Sequence, residues 1–209
     1  MWLISMESRK LFNLLLVTIF LSCQTKVENK TQRINGFALG TSFSISYSAP
    51  QLSEIDLERK VDSIFGVLNQ SLSTYITTSD ISKINKGDSL QLVDSHFIKV
   101  YQKATEVWEA TDGYFDPTVG SLRNLYGFGD TPYHETINAK VLDSVSALVG
   151  FNKASINKDG TVHKDNPNIY LDFNAVAKGY GIDCLGTMLS SNNITDYIIE
   201  LGGEVLAKG

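Results

Sequence analysis

The chain has 209 residues, of which 43% are hydrophobic and 20% charged, the composition of an ordinary globular protein with enough chain for one domain and a substantial core. A formal charge of −5 and the absence of any basic tract longer than a pair argue against a nucleic-acid partner. A phosphate could still be held locally, by a helix terminus or a metal.

The N-terminal stretch "MWLISMESRKLFNLLLVTIFLSCQ" carries Arg9 and Lys10, then an apolar run from Leu11 to Leu21 interrupted by Asn13 and Thr18, then Ser22 and Cys23. The run is short for a transmembrane helix and reads as a signal peptide over residues 1–22. Its end resembles a bacterial lipoprotein box in which Cys23 becomes the lipidated first residue, although Phe20 and Leu21 stand where Leu and a smaller residue are usual. A plain cleaved signal or a buried apolar segment is the alternative. The lipoprotein reading implies a bacterial cell-membrane protein, lipid-anchored and facing the periplasm or exterior. Cys184 would then be the one remaining thiol, so no intrachain disulfide is expected. The polar stretch that follows reads as a tether over residues 23–35, leaving 36–209 as the folded part.

"FALGTSFSISY" (37–47) alternates, with Phe43, Ile45 and Tyr47 on one face and serines on the other, the pattern of a half-buried strand. Ser53 with Asp56 is a helix-capping signal ahead of Leu57, Val61, Ile64, Phe65 and Leu68 at helical spacing. A second helix is expected from Asp94 or Ser95, with Phe97, Val100, Tyr101, Ala104, Val107 and Trp108 on one stripe and Gly113 as its stop. A third is expected over Asn138–Val149. Strands are expected at 90–93, 154–157, 161–163, 168–173 and 196–201. Without regular βαβ spacing, these elements predict an α+β fold with a mixed or antiparallel sheet and packed helices.

"YLDFNAVAKGYGID" (170–183) puts Asp172, Asn174 and Lys178 into an otherwise apolar run. Ile169, Leu171 and Phe173 would share one strand face, and Ala177, Tyr180, Gly181, Cys184, Leu185, Met188 and Leu189 one helix stripe. Asn174 falls at the junction, a good cap position. A helix N-terminus suits an anion, a carbonyl in the 174–176 turn suits a hard cation such as Mg²⁺, and Lys178 lies one turn in. The residues alone equally allow a plain cap with Lys178 on a solvated face. "GYG" and "AKG" lack the remaining residues of dinucleotide and phosphate loops. His96, His134 and His163 have no metal-ligand spacing.

Taken in order, "LGTSFSISY", "LSTYITTSDISKIN", "DGYFDPTVGSLRNLYGFG", "LDFNAVAKGYGID" and "ELGGEV" resemble the ApbE family, the FAD:protein FMN transferases once described as thiamine biosynthesis lipoproteins. The resemblance implies an ApbE-like (T-fold-like) α+β domain. Leu39 stands where the family commonly has a flavin-contacting Met, and Tyr75 matches an FAD contact. Tyr114, Phe115 and Asp116 match the block on the adenine side, while Asp172 and Lys178 match flavin-dinucleotide contacts. Ala175 matches the position that gives a Mg²⁺ ligand through its backbone carbonyl.

The implied reaction moves FMN from FAD to a Ser or Thr hydroxyl of a target protein and releases AMP, with Mg²⁺ offsetting charge on the pyrophosphate. The implied partners are FAD, a flavin-accepting protein and, through the lipid, a membrane. The family pattern continues past "GGEV", with an Asp and a Thr completing its metal site there, so a domain truncated at its C-terminus is expected, with its catalytic residues outside this sequence. An FAD pyrophosphatase, a non-catalytic lipid-anchored FAD-binding protein and an inactive remnant are the alternatives.

Overall fold

In the computed structural model, which describes residues 31–48, 53–129 and 136–209, strand β1 (Thr31–Ala38) and strand β2 (Thr41–Ser48) form a hairpin closed by Leu39 and Gly40. Both turn residues are left-handed, at φ 49° and 76°, as the right-handed twist of a two-residue hairpin requires. The expected signal peptide, Cys23 and the first part of the tether lie outside the described residues.

Helix α1 (Glu54–Leu72) begins at the predicted cap, where Asp56 N–H donates to Ser53 Oγ at 3.2 Å. Short helix α2 (Asp80–Asn85) precedes α3 (Ser95–Ala110), which is capped by Asp94 as the sequence indicated. A 3-10 turn at Pro117–Val119 leads into α4 (Gly120–Leu125). Helix α5 (Ala139–Ser146) starts at the expected Asn138 cap. Strands β3 (Ala154–Ile156) and β4 (Val162–Lys164) form a small separate hairpin. Helix α6 (Asn174–Ser191) then leads to β5 (Tyr197–Leu201) and β6 (Glu204–Lys208).

The main sheet is antiparallel, in the order β1-β2-β5-β6. Its register sets Phe43 opposite Leu201, Ile45 opposite Ile199 and Tyr47 opposite Tyr197. These buried side chains form one apolar face, against which α1 places Leu57, Val61 and Phe65, and α6 places Leu185 and Leu189. A second apolar cluster joins the C-terminal part of α1 to α2, α3, Phe151, Leu171 and Phe173. The architecture is the expected α+β one. Among the described residues no helix is long and apolar enough to cross a membrane.

Several expectations are corrected. The stretch 37–47 is the end of one strand, a turn and most of a second, and β1 starts at Thr31, inside the expected tether. Its polar residues conceal it, because as an edge strand it buries Ile34 and Ala38 while its other side chains remain at least partly accessible. Residues 90–93 contribute only a bridge between Leu92 and Thr161. Residues 168–173 are no sheet strand, although Ile169, Leu171 and Phe173 are all fully buried as the alternation indicated. Asn85 takes the place of a neighbouring strand: Leu171 N–H donates to its Oδ1 at 2.8 Å and its Nδ2 donates to the Leu171 carbonyl at 2.9 Å. Asp172 N–H donates to the Pro117 carbonyl at 2.8 Å. This backbone is satisfied without a ladder, as a buried segment must be.

Candidate functional site

The tip of the β1–β2 hairpin, the C-terminal end of α1 with the turn after it, and the first turns of α6 enclose a groove of about 750 Å³. That is the size range of small-molecule and cofactor sites. Leu39 forms part of one wall, and its positive φ follows from its place in the hairpin turn. Backbone strain of this kind at a non-glycine residue is tolerated where the surroundings fix it, and here Leu39 packs against both apolar clusters. Tyr75 lines the groove with its side chain 65% exposed, a flat apolar surface not used in the core. Lys178 reaches the same groove from the second turn of α6.

Asp172 is not itself in the wall. Its Oδ2 lies 2.6 Å from Arg123 Nη1, with the two side chains 8% and 19% exposed, and it is Arg123 that lines the groove. The other Asp172 oxygen accepts from Asn174 N–H at 2.8 Å. Asn174 is therefore not the cap that its position suggested. It is the first residue of α6, and Phe173 holds the cap position without a side-chain bond. The Asn174 side chain lines the groove instead, and its buried Nδ2 has no hydrogen-bond partner. An unsatisfied buried donor is expensive, and this one belongs to a residue that lines the same groove as Arg123 and Lys178, at the positive end of an 18-residue helix.

Tyr114, Phe115 and Asp116 lie outside the groove wall. Tyr114 is 95% exposed and Phe115 packs against the second apolar cluster. Asp116 Oδ1 accepts from the Thr118 N–H at 2.8 Å and from the Thr118 hydroxyl, and Oδ2 accepts from Phe151 N–H at 2.9 Å. Its carboxylate clasps two loops together. Ala175 is exposed in the first turn of α6, and among the described residues no group of three or more His, Cys, Asp or Glu side chains could hold a metal. The Ala175 carbonyl without such a group beside it does not amount to a Mg²⁺ site among the described residues.

A second cavity, of about 610 Å³ between α6 and β6, has hydroxyls and Asp183 but no Lys or Arg in its wall, so it offers a phosphate no cation. No motif in the sequence marks Arg123, a lone base between Leu122 and Asn124, or the groove-facing role of Asn174.

The family model described as "ApbE family" matches residues 39–209. The chain belongs to the ApbE family. It is 31% identical to a FAD:protein FMN transferase of Vibrio cholerae over 218 residues, covering 100% of this chain and 60% of that one. Identity to the FAD:protein FMN transferase of Haemophilus influenzae is 32% over 199 residues, covering 90% and 57%. Among solved structures, the flavin transferase ApbE from Vibrio cholerae superposes with a TM-score of 0.79 at 30% identity, covering 86% of this chain and 60% of that one. The apo flavinyl transferase ApbE of Pseudomonas stutzeri gives a TM-score of 0.79 at 27% identity, covering 87% and 62%. This chain thus spans about three fifths of the length of the ApbE relatives it matches.

Proposed function

We propose that this chain holds FAD in the groove and belongs to a flavin transferase that moves FMN from FAD to a Ser or Thr hydroxyl of a target protein. The observation that carries the reading is the convergence of Leu39, Tyr75 and Lys178, from three separate stretches of sequence, on one groove that also contains Arg123 and Asn174.

In this reading Tyr75 supplies flat apolar area for a ring system and Leu39 borders the flavin. Arg123 and Lys178 face the pyrophosphate as cations, and Asn174 Nδ2 donates to a phosphate oxygen. The acceptor hydroxyl oxygen bonds to the phosphorus of the FMN half, and the bond from that phosphorus to the AMP oxygen breaks. AMP leaves with the electron pair, and the hydroxyl proton passes to solvent or to the leaving phosphate. Mg²⁺ would offset pyrophosphate charge, but the described residues do not form its site. Water in place of the hydroxyl would make the same arrangement an FAD pyrophosphatase.

The test is an FAD fluorescence titration of the full chain in detergent, with AMP as competitor and with or without Mg²⁺, followed by an assay for released AMP. Saturable binding displaced by AMP is expected. No binding by a folded protein would sink the reading, and binding without AMP release or flavin transfer would leave a carrier.

The lipid anchor is part of the same proposal, motivated by the placement of Cys23 after the apolar run. Cys23→Ala is expected to move the protein from the membrane fraction to the soluble one. Continued membrane association of that variant would rule out lipidation as the anchor.

A further inference from the structure

The Lys178 ammonium is paired with a carboxylate. Glu204 Oε1 lies 3.2 Å from its Nζ, with the side chains 31% and 38% exposed. Glu204 opens β6, directly after Gly202 and Gly203, whose φ values of 59° and 91° turn the chain back sharply and aim the carboxylate at α6. The other oxygen, Oε2, would be 3.2 Å from a Cβ on residue 179, so Gly179 lets the carboxylate lie against the helix without crowding. Glu204 does not line the groove, whereas Lys178 does. A half-exposed ion pair adds little to stability, so its main consequence here is geometric.

We propose that Glu204 is a positioning residue, which fixes the Lys178 ammonium at the groove so that its remaining N–H donors face the phosphate oxygens of the ligand. The inference rests on the FAD reading and adds the residue that orients the cation. A lysine ammonium has three donors on a flexible four-carbon stem. Glu204 engages one and removes much of the stem's freedom, so less order is lost when the phosphate binds. Glu204 is also an anion near the site of a bound anion. If charge alone mattered, neutralising it would tighten phosphate binding. If position matters more, neutralising it weakens binding, so the two accounts predict opposite signs.

The experiment measures dissociation constants of FAD and of riboflavin, which has the ring system but no phosphate, for the wild-type chain, Glu204→Gln, Gly179→Ala and Lys178→Met. Glu204→Gln is expected to raise the FAD constant roughly five- to tenfold while leaving riboflavin unchanged. Gly179→Ala keeps the charge and sets a Cβ 3.2 Å from Oε2, so the carboxylate must shift by a few tenths of an ångström, and FAD is expected to move in the same direction by a smaller factor. Adding Glu204→Gln to Lys178→Met should change nothing further, because the group it positions is gone. An FAD constant that is unchanged or lowered in Glu204→Gln overturns the proposal, as does an equal rise for both ligands, which would report general damage to the groove. A wild-type chain that binds no FAD overturns the underlying reading and this inference with it.

Discussion

Asp172→Ala is expected to destabilise the fold by about 3–5 kcal/mol, the usual consequence of removing one partner from a buried ion pair. Its carboxylate is 8% exposed and holds a guanidinium that is 19% exposed. Without it the Arg123 guanidinium loses a close carboxylate where water reaches it poorly, and the Asn174 N–H at the start of α6 loses its acceptor. FAD affinity should fall as well, because the Asp172 contact fixes the groove-lining Arg123. Denaturant unfolding of the wild type and Asp172→Ala, read beside FAD titration, checks both effects. Asp172→Asn keeps an oxygen for the Asn174 N–H while removing the charge, so it should fall between the two. Replacing both members by apolar residues, Asp172→Leu with Arg123→Met, should recover much of the stability without recovering full FAD affinity, since it leaves no buried charge but removes one of the two groove cations, Lys178 being the other. A loss below about 1 kcal/mol for Asp172→Ala would mean the pair behaves as a solvated surface bridge and does not anchor the site.

The same residue shows what the sequence could disclose. Alternation at 169–173 told correctly which side chains are buried, because burial follows the period of an extended chain whatever its backbone pairs with. It did not tell that the partner is the Asn85 side chain, since a contact across 86 positions leaves no local periodic mark. The capped helices α1, α3 and α5 were legible because Ser53, Asp94 and Asn138 act on their own N–H groups within three residues. Strand β1 was not, because an edge strand that exposes most of its side chains has a polar sequence like that of a tether. In the candidate site, Leu39, Tyr75 and Lys178 came from ordered blocks resembling a family. Arg123 and Glu204 have roles set by tertiary contacts with Asp172 and Lys178, and their own neighbours in sequence carry no sign of them.

Lys164 is a further residue of this kind, and Lys164→Met is expected to lower stability by about 2–4 kcal/mol, because charge-assisted hydrogen bonds disappear and carbonyls lose their donors. Its Nζ donates to the carbonyls of Ile84 at 2.8 Å, Pro167 at 2.7 Å and Ile169 at 2.9 Å, tying β4 to the end of α2 and to the turn before the extended segment. Burial pushes its pKa down to about 8 from 10.5. Between those values the unfolded chain keeps a proton that the folded chain has released, so unfolding takes up protons and stability rises with pH. The contribution is complete above the unfolded value and is lost as pH falls through the folded one. The stability gap between wild type and Lys164→Met should therefore widen from pH 8 to pH 10 and be flat below pH 7, which denaturation midpoints at unit pH steps would show. A gap that narrows over the same range would reverse the assignment. The carbonyls would then favour the ammonium more than burial penalises it, and Lys164 would act as a charged clamp throughout the alkaline range.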